Sequence, residues 1–276
     1  MPKQKKLKLF IVIPAAFFIV LAIAIFIFFR GRYCLPILMY HMVFPQAESR
    51  YRPAVREATF RRQMEFLKKF HYHVISLEEA VKLIREKKKI PPFTVVITFD
   101  DGYRDNLEYA FPVLKKYDFP ATIFIITDEV GVNPQKLTWD EIKLMQASGL
   151  ISVGSHCLGP EPLINIKSEA ELRRQIFDSK RILEEKLGKK VNYFSYPEGK
   201  FDAKIKALVQ EAGYLAAVAT IPESSTSNWD AFALKRLRIS ENTSNLFIFA
   251  LESSGYYTYI KEYKKERKKW KKIRGY

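Results

Sequence analysis

The stretch Thr94-Val-Val-Ile-Thr-Phe-Asp-Asp-Gly-Tyr103 joins an apolar, β-branched run to two adjacent carboxylates, Asp100 and Asp101, and a glycine. The run reads as a buried strand, because β-branched and aromatic side chains fit a packed, pleated surface. Two carboxylates at the end of such a strand repel each other and lose hydration. A chain built for stability alone has no use for them there. They make sense where one holds a cation and the other handles a proton.

Similar runs recur on both sides. Pro36-Ile-Leu-Met-Tyr-His41 reads as a first strand, followed by Ala121–Ile126, Leu150–Ser155, Val191–Tyr196 and Leu215–Thr220. Leu234-Lys-Arg-Leu-Arg-Ile239 alternates basic residues with leucines, as a further strand would. Between the strands lie helical patterns. Phe60, Met64, Leu67 and Phe70 share one helical face. Ser76 with Glu79 and Thr138 with Glu141 read as capping boxes, while Gly149, Gly188 and Gly213 read as helix stops. Pro112 interrupts the helical pattern of 103–117. The fold class is therefore α/β, a parallel sheet with helices outside it. About seven repeats favour a barrel over an open sheet, and chemistry then belongs at the C-terminal ends of the strands.

Four positions recur at those ends. His41 closes the first strand, Asp100 and Asp101 close another, His156 follows Gly154-Ser155, and Tyr196-Pro-Glu-Gly199 closes a fourth. Two carboxylates and two imidazoles meeting at one mouth can bind a divalent metal and activate water.

At these motifs the chain resembles the polysaccharide deacetylases, the family of the NodB homology domain. Thr98-Phe-Asp-Asp-Gly-Tyr103 is similar to the family's first motif. Leu137 to His156 is similar to the second region, and Phe194-Ser-Tyr-Pro-Glu-Gly199 to the third. Met39-Tyr-His-Met-Val43 is also typical of many members. The order and spacing carry the resemblance from about Leu35 to about residue 250, within a domain spanning 34–255. It implies a distorted (β/α)7-type barrel that removes N-acetyl groups from amino-sugar polymers with a divalent metal, zinc first, with cobalt, manganese or nickel as alternatives. It also implies Asp100 as general base and Asp101 and His156 as metal ligands. Tyr196, Pro197 and Gly199 would line the substrate and oxyanion side.

The chain departs from the family pattern at three points. Where a second metal histidine commonly stands, four residues after His156, there is Pro160. In the biofilm-type exopolysaccharide deacetylases, which the chain also resembles, that histidine comes five residues on, where Glu161 stands. A glutamate oxygen binds zinc at nearly the distance of a histidine nitrogen, so Glu161 is a candidate third ligand; the alternative is a loop residue beside a degenerate site. No histidine follows His156, which leaves His41 as the candidate general acid. Ser195 stands where several subfamilies place an arginine that orients the base, and Arg236 or Arg238 could supply that charge.

The chain of 276 residues has a formal net charge of +16. Lys3, Lys5, Lys6 and Lys8 form a basic start, residues 1–8, expected in the cytoplasm. Residues 9–29 carry no charge and end in bulky Ile25-Phe-Ile-Phe-Phe29, followed by Arg30. That is about the length of a bilayer-spanning helix, and its end lacks a signal-peptide cleavage pattern. The expectation is an uncleaved signal anchor, with the remainder of a single-pass cell-membrane protein facing outward. The tail, 256–276, is lysine-rich with interleaved aromatics. It reads as a solvated helix end, a segment lying on anionic lipid, or a grip on an anionic wall polymer. Nucleic acid is not an expected partner of a domain outside the membrane. Cys34 and Cys157 fall at opposite ends of a parallel barrel, beyond disulfide reach.

The reading is an outward-facing deacetylase of an N-acetylglucosamine polymer, either exopolysaccharide or peptidoglycan. The rival is a glycan-binding relic of the same fold that has lost a metal ligand.

Overall fold

The computed structural model describes residues 33–45, 54–220 and 230–257. The expected anchor and most of the basic tail lie outside these residues. Among the described residues, no helix is long and apolar enough to cross a membrane.

The Asp-Asp stretch forms the strand that organises the rest. Strand β1 is Ile37–Tyr40, with short β2 (Val43–Phe44), β3 (Val55–Arg56), helix α1 (Glu57–Lys69), β4 (His73–Ile75) and α2 (Leu77–Arg85) before β5 (Thr94–Phe99). Then follow α3 (Phe111–Tyr117), β6 (Ala121–Ile125), α4 (Trp139–Ala147), β7 (Ile151–Ser155), α5 (Glu169–Arg173) and α6 (Ser179–Leu187). The chain continues through β8 (Tyr193–Ser195), α7 (Ala203–Glu211), β9 (Ala216–Ala219), β10 (Leu234–Arg238) and α8 (Leu246–Ser253).

Seven parallel strands close a ring in the order β1-β10-β9-β8-β7-β6-β5, with β5 returning to β1. The register Met39↔Thr98 and Tyr40↔Phe99 closes it. β4 pairs with Thr94–Val96, along the first half of β5, and β1 takes over from Val96. The barrel is therefore distorted rather than eight-fold, because β4 is displaced from the ring.

β5 is buried on both faces. With a period of two, Val95, Ile97 and Phe99 pack toward the helices, while Val96, Thr98 and Asp100 face the barrel interior. The interior is filled low down by Ile37, Val96, Phe124, Tyr193, Val218 and Leu234. Gly154 is required there, since a Cβ would meet the Phe124 ring at 2.4 Å. Above this apolar floor, polar residues at the strand ends share the mouth with Met39 and Ile126.

The helix punctuation follows the sequence. Thr138 and Glu141 form a complete capping box, Ser76 caps α2 by accepting from the Glu79 amide without the reciprocal Glu79 bond, and Gly188 ends α6 in the left-handed conformation. Two details differ. Phe70 does not join the apolar face of α1; it stands just past the helix and is 53% exposed. The 103–117 segment begins as a π-helical turn at Asn106–Ala110 that runs directly into α3, and Pro112 sits at that junction. Cys34 and Cys157 are buried and form no disulfide. At the barrel base, the Cys34 amide donates to the Gly255 carbonyl at 2.9 Å, so the two ends of the described chain emerge together, away from the mouth.

Candidate active site

Asp100 is 3% exposed. Arg236, inward-facing on β10, donates from Nη1 to Oδ1 and from Nη2 to Oδ2, each at 2.6 Å. Nη2 also donates to Ser195 Oγ at 2.8 Å, and that hydroxyl reaches Asp100 Oδ2 at 3.4 Å. Burial by itself raises the Asp100 pKa; Arg236, His156 and His41 outweigh it, and the carboxyl is held below its ordinary value. Such a bidentate fork fixes the carboxylate plane as well as its charge.

Asp101 follows in a left-handed turn, with φ 70°, and Gly102 continues it with φ 65°. The turn throws Asp101 across the mouth toward His156, with Oδ1 3.4 Å from Nε2. His156 Nδ1 lies 2.8 Å from the Ser195 carbonyl, which assigns the ring proton to Nδ1 and leaves Nε2 facing the carboxylates. Burial lowers the His156 pKa, but Asp100, Asp101 and the Ser195 carbonyl together raise it. For Asp101, burial acts upward and His156 downward, and the net direction is well down. A positive charge, either a proton or a metal, belongs on this edge.

The spacing of Asp101 and His156 fits a metal. Two donors bound tetrahedrally to zinc stand about 3.3 Å apart. The observed 3.4 Å matches, and the Ser195 carbonyl supplies the anchor that metal-binding imidazoles use on their other nitrogen. Asp101 and His156 therefore suit two adjacent metal positions. A third ligand from the protein is another matter. Among the described residues, no three His, Cys, Asp or Glu side chains gather to hold an ion. Glu161 is exposed and does not line the cavity that Asp101 and His156 line, so the expectation that it completes the ligand set is not met. The loop after β7 carries it outward beyond Pro160, which does reach the rim.

His41 stands at the end of β1 in the same cavity. Its carbonyl accepts from Asn106 Nδ2 at 2.8 Å, and its buried Nδ1 has no hydrogen-bond partner among the described residues. Burial lowers its pKa more than Asp100 and Asp101 raise it.

The cavity has a volume of about 540 Å³ and opens at the C-terminal ends of the strands. Pro197 and Gly199 line it. Gly199 has φ 68°, and a Cβ there would meet Thr220 Oγ1 at 1.8 Å. The Tyr196 and Gly199 amides are already engaged and do not face an oxyanion. The Tyr196 amide donates to the Val218 carbonyl at 3.2 Å, the Gly199 amide donates to the Tyr196 carbonyl at 2.8 Å, and the Tyr196 ring is fully buried with its hydroxyl on Phe232 O. Of the two arginine candidates, only Arg236 reaches Asp100; Arg238 lines the cavity from an exposed position. Trp139, at the start of α4, packs against the core.

Several cavity residues were not singled out from the sequence. Lys136 and Glu129 enter from the loop after β6, and Lys200 and Thr220 lie on the opposite rim. Nothing in the local sequence around Lys136 separates it from the many surface lysines.

Comparison with known proteins agrees with this geometry. The family profile described as polysaccharide deacetylase matches residues 87–217. A Bacillus subtilis (strain 168) protein whose name assigns it to the polysaccharide deacetylases, YxkH, is 32% identical over 76% of this chain and 73% of its own. A poly-beta-1,6-N-acetyl-D-glucosamine N-deacetylase of Staphylococcus aureus (strain MRSA252) is 28% identical over 68% of this chain and 69% of its own. The solved structure of IcaB from Ammonifex degensii superposes with a TM-score of 0.71 at 26% identity, covering 80% of this chain and 97% of that one. The barrel, the Asp-Asp turn and these likenesses agree: the chain belongs to the polysaccharide deacetylase family, hydrolases that act on amide bonds.

Proposed function

We propose that the protein is a membrane-anchored, metal-dependent N-deacetylase of an N-acetylglucosamine polymer, with its barrel outside the cell membrane. The observation that carries the reading is the pairing of two differently set carboxylates. Asp100 is locked to Arg236, and Asp101 is turned to His156, in one cavity. Arg236 leaves Asp100 ionised and fixed, which is what a proton acceptor needs. Asp101 and His156 would hold the metal. When bound, it would supply a water of lowered pKa and polarise the acetyl carbonyl.

The residues then divide the proton work. Asp100 takes the proton from the attacking water. Deacetylation also requires a proton on the departing sugar nitrogen, and His41 is the imidazole placed to give it. Its unpartnered Nδ1 and lowered pKa make it a ready donor once protonated. Phe124 and the apolar floor below Arg236 keep bulk water from the buried side of the fork.

The likeness to the staphylococcal enzyme favours a β-1,6-linked exopolysaccharide as substrate over peptidoglycan. The uncharged run 9–29 and the lysines before it favour the anchor and its orientation. The basic tail would add contact with anionic lipid. A second reading, glycan binding without turnover, is favoured by one observation, the missing third ligand. The experiment that decides between them is acetate release from soluble N-acetylglucosamine oligomers, with zinc, cobalt, manganese or nickel in turn and with chelator. Metal-dependent, chelator-sensitive release supports the enzyme. No release with any metal from folded protein that also binds no metal supports the binding relic; no release with metal bound points to a different acetylated substrate.

A further inference from the structure

Lys136 is 6% exposed, although lysine is rarely buried without a task. Its ammonium has three partners. Nζ donates to the backbone carbonyl of Asp101 at 3.0 Å, lies 2.9 Å from Glu129 Oε2, and sits 3.7 Å from the centre of the Tyr103 ring. The backbone around it is tied to the same turn. The Arg104 amide donates to Gln135 O at 2.8 Å, the Leu137 amide donates to Gly102 O at 3.0 Å, and Tyr103 and Lys136 form an isolated antiparallel bridge. Asp101 itself is a non-glycine residue with φ 70°, a conformation that costs about 1 kcal/mol or more and persists only when its surroundings impose it.

We propose that Lys136 is a positioning residue: its buried ammonium holds the Asp101 peptide left-handed and so keeps the Asp101 carboxylate against His156. The alternative turn would swing that carbonyl away and carry the carboxylate off the 3.4 Å contact with Nε2. A charged donor suits the task, because hydrogen bonds from ionised groups are roughly twice as strong as neutral ones. Glu129 and Tyr103 compensate the ammonium for its lost water, through an ion pair and a cation–π contact. The consequence for metal binding rests on the reading of Asp101 and His156 given above; the effect on the backbone does not.

The test uses the full chain and two variants, Lys136→Met and Lys136→Gln. Amide hydrogen exchange is measured on metal-free protein, and zinc affinity by titration. The expected result is exchange at Gly102, Tyr103 and Arg104 that is faster than in the wild type, with the β6 and β7 amides unchanged. Zinc should bind about 10–100-fold more weakly in Lys136→Met. Lys136→Gln, which keeps a donor without the charge, should fall between, and it carries the test if Lys136→Met does not fold. For both variants kcat should drop with KM for the oligomer little changed. Unaltered exchange at the turn, or faster exchange spread evenly over the barrel, would overturn the proposal and leave Lys136 as ordinary packing. A wild type that binds no zinc and releases no acetate would refute the proposed function, while the exchange contrast would still decide the role of Lys136.

Discussion

Arg236 holds both oxygens of Asp100 at 2.6 Å, from a strand that lies 136 residues away in sequence and next but one in the barrel. The pair is buried, so solvent does not screen it. Removing one partner leaves the other charge without compensation, which costs about 3–5 kcal/mol. Arg236→Met should therefore lower stability by that order, read in urea unfolding. It should also cut kcat at least ~100-fold, the scale of a lost general base, because Asp100 would take up a proton or lose its orientation. Arg236→Lys should recover only part of this, since an ammonium cannot make the fork. Wild-type turnover in Arg236→Met would remove the pair from the mechanism.

The pH profile of kcat should carry an alkaline limb from His41. A proton donor works only while protonated, so activity falls as pH rises through its pKa. Burial puts that pKa below the ordinary imidazole value of about 6.5, and the limb should begin on the acid side of it. His41→Gln should lose both the limb and most of the turnover, a drop of about 100-fold or more. A limb that persists unchanged in His41→Gln would assign the donor elsewhere.

Glu161→Ala should leave zinc affinity and kcat within about twofold of the wild type, as befits an exposed residue without a structural task. Parallel zinc titration and acetate release on the two proteins check this. A large loss of affinity would mean that the loop after β7 folds inward when metal binds, and would restore Glu161 as a ligand.

Much of this architecture is legible in the sequence because each signal is local. The runs that became β5 and β7 carry β-branched residues and lead into polar ones, Asp100 and Ser155, so both the strands and the level of the mouth can be read directly. The errors share one origin, three-dimensional placement. The family resemblance brings Glu161 to a ligand position, but the loop direction does not follow from it. A period of two puts Arg236 and Arg238 on the same face; only depth within the barrel separates the one that reaches Asp100 from the one at the rim. An oxyanion donor is expected near Tyr196, but no sequence records that Val218 O already accepts the Tyr196 amide. Lys136 could not be found at all, since its meaning comes from a loop folding back onto the Asp101 turn. Phe70 keeps the helical spacing of α1 but falls one residue past the last turn.

The central claim is that Asp100 moves the proton while Asp101 and His156 hold the metal. Asp100→Asn tests it most directly, with zinc content and acetate release from N-acetylglucosamine oligomers measured on the same sample. The account predicts that the variant keeps its zinc and loses turnover by about 100-fold or more. Turnover close to the wild type in zinc-loaded Asp100→Asn would contradict it.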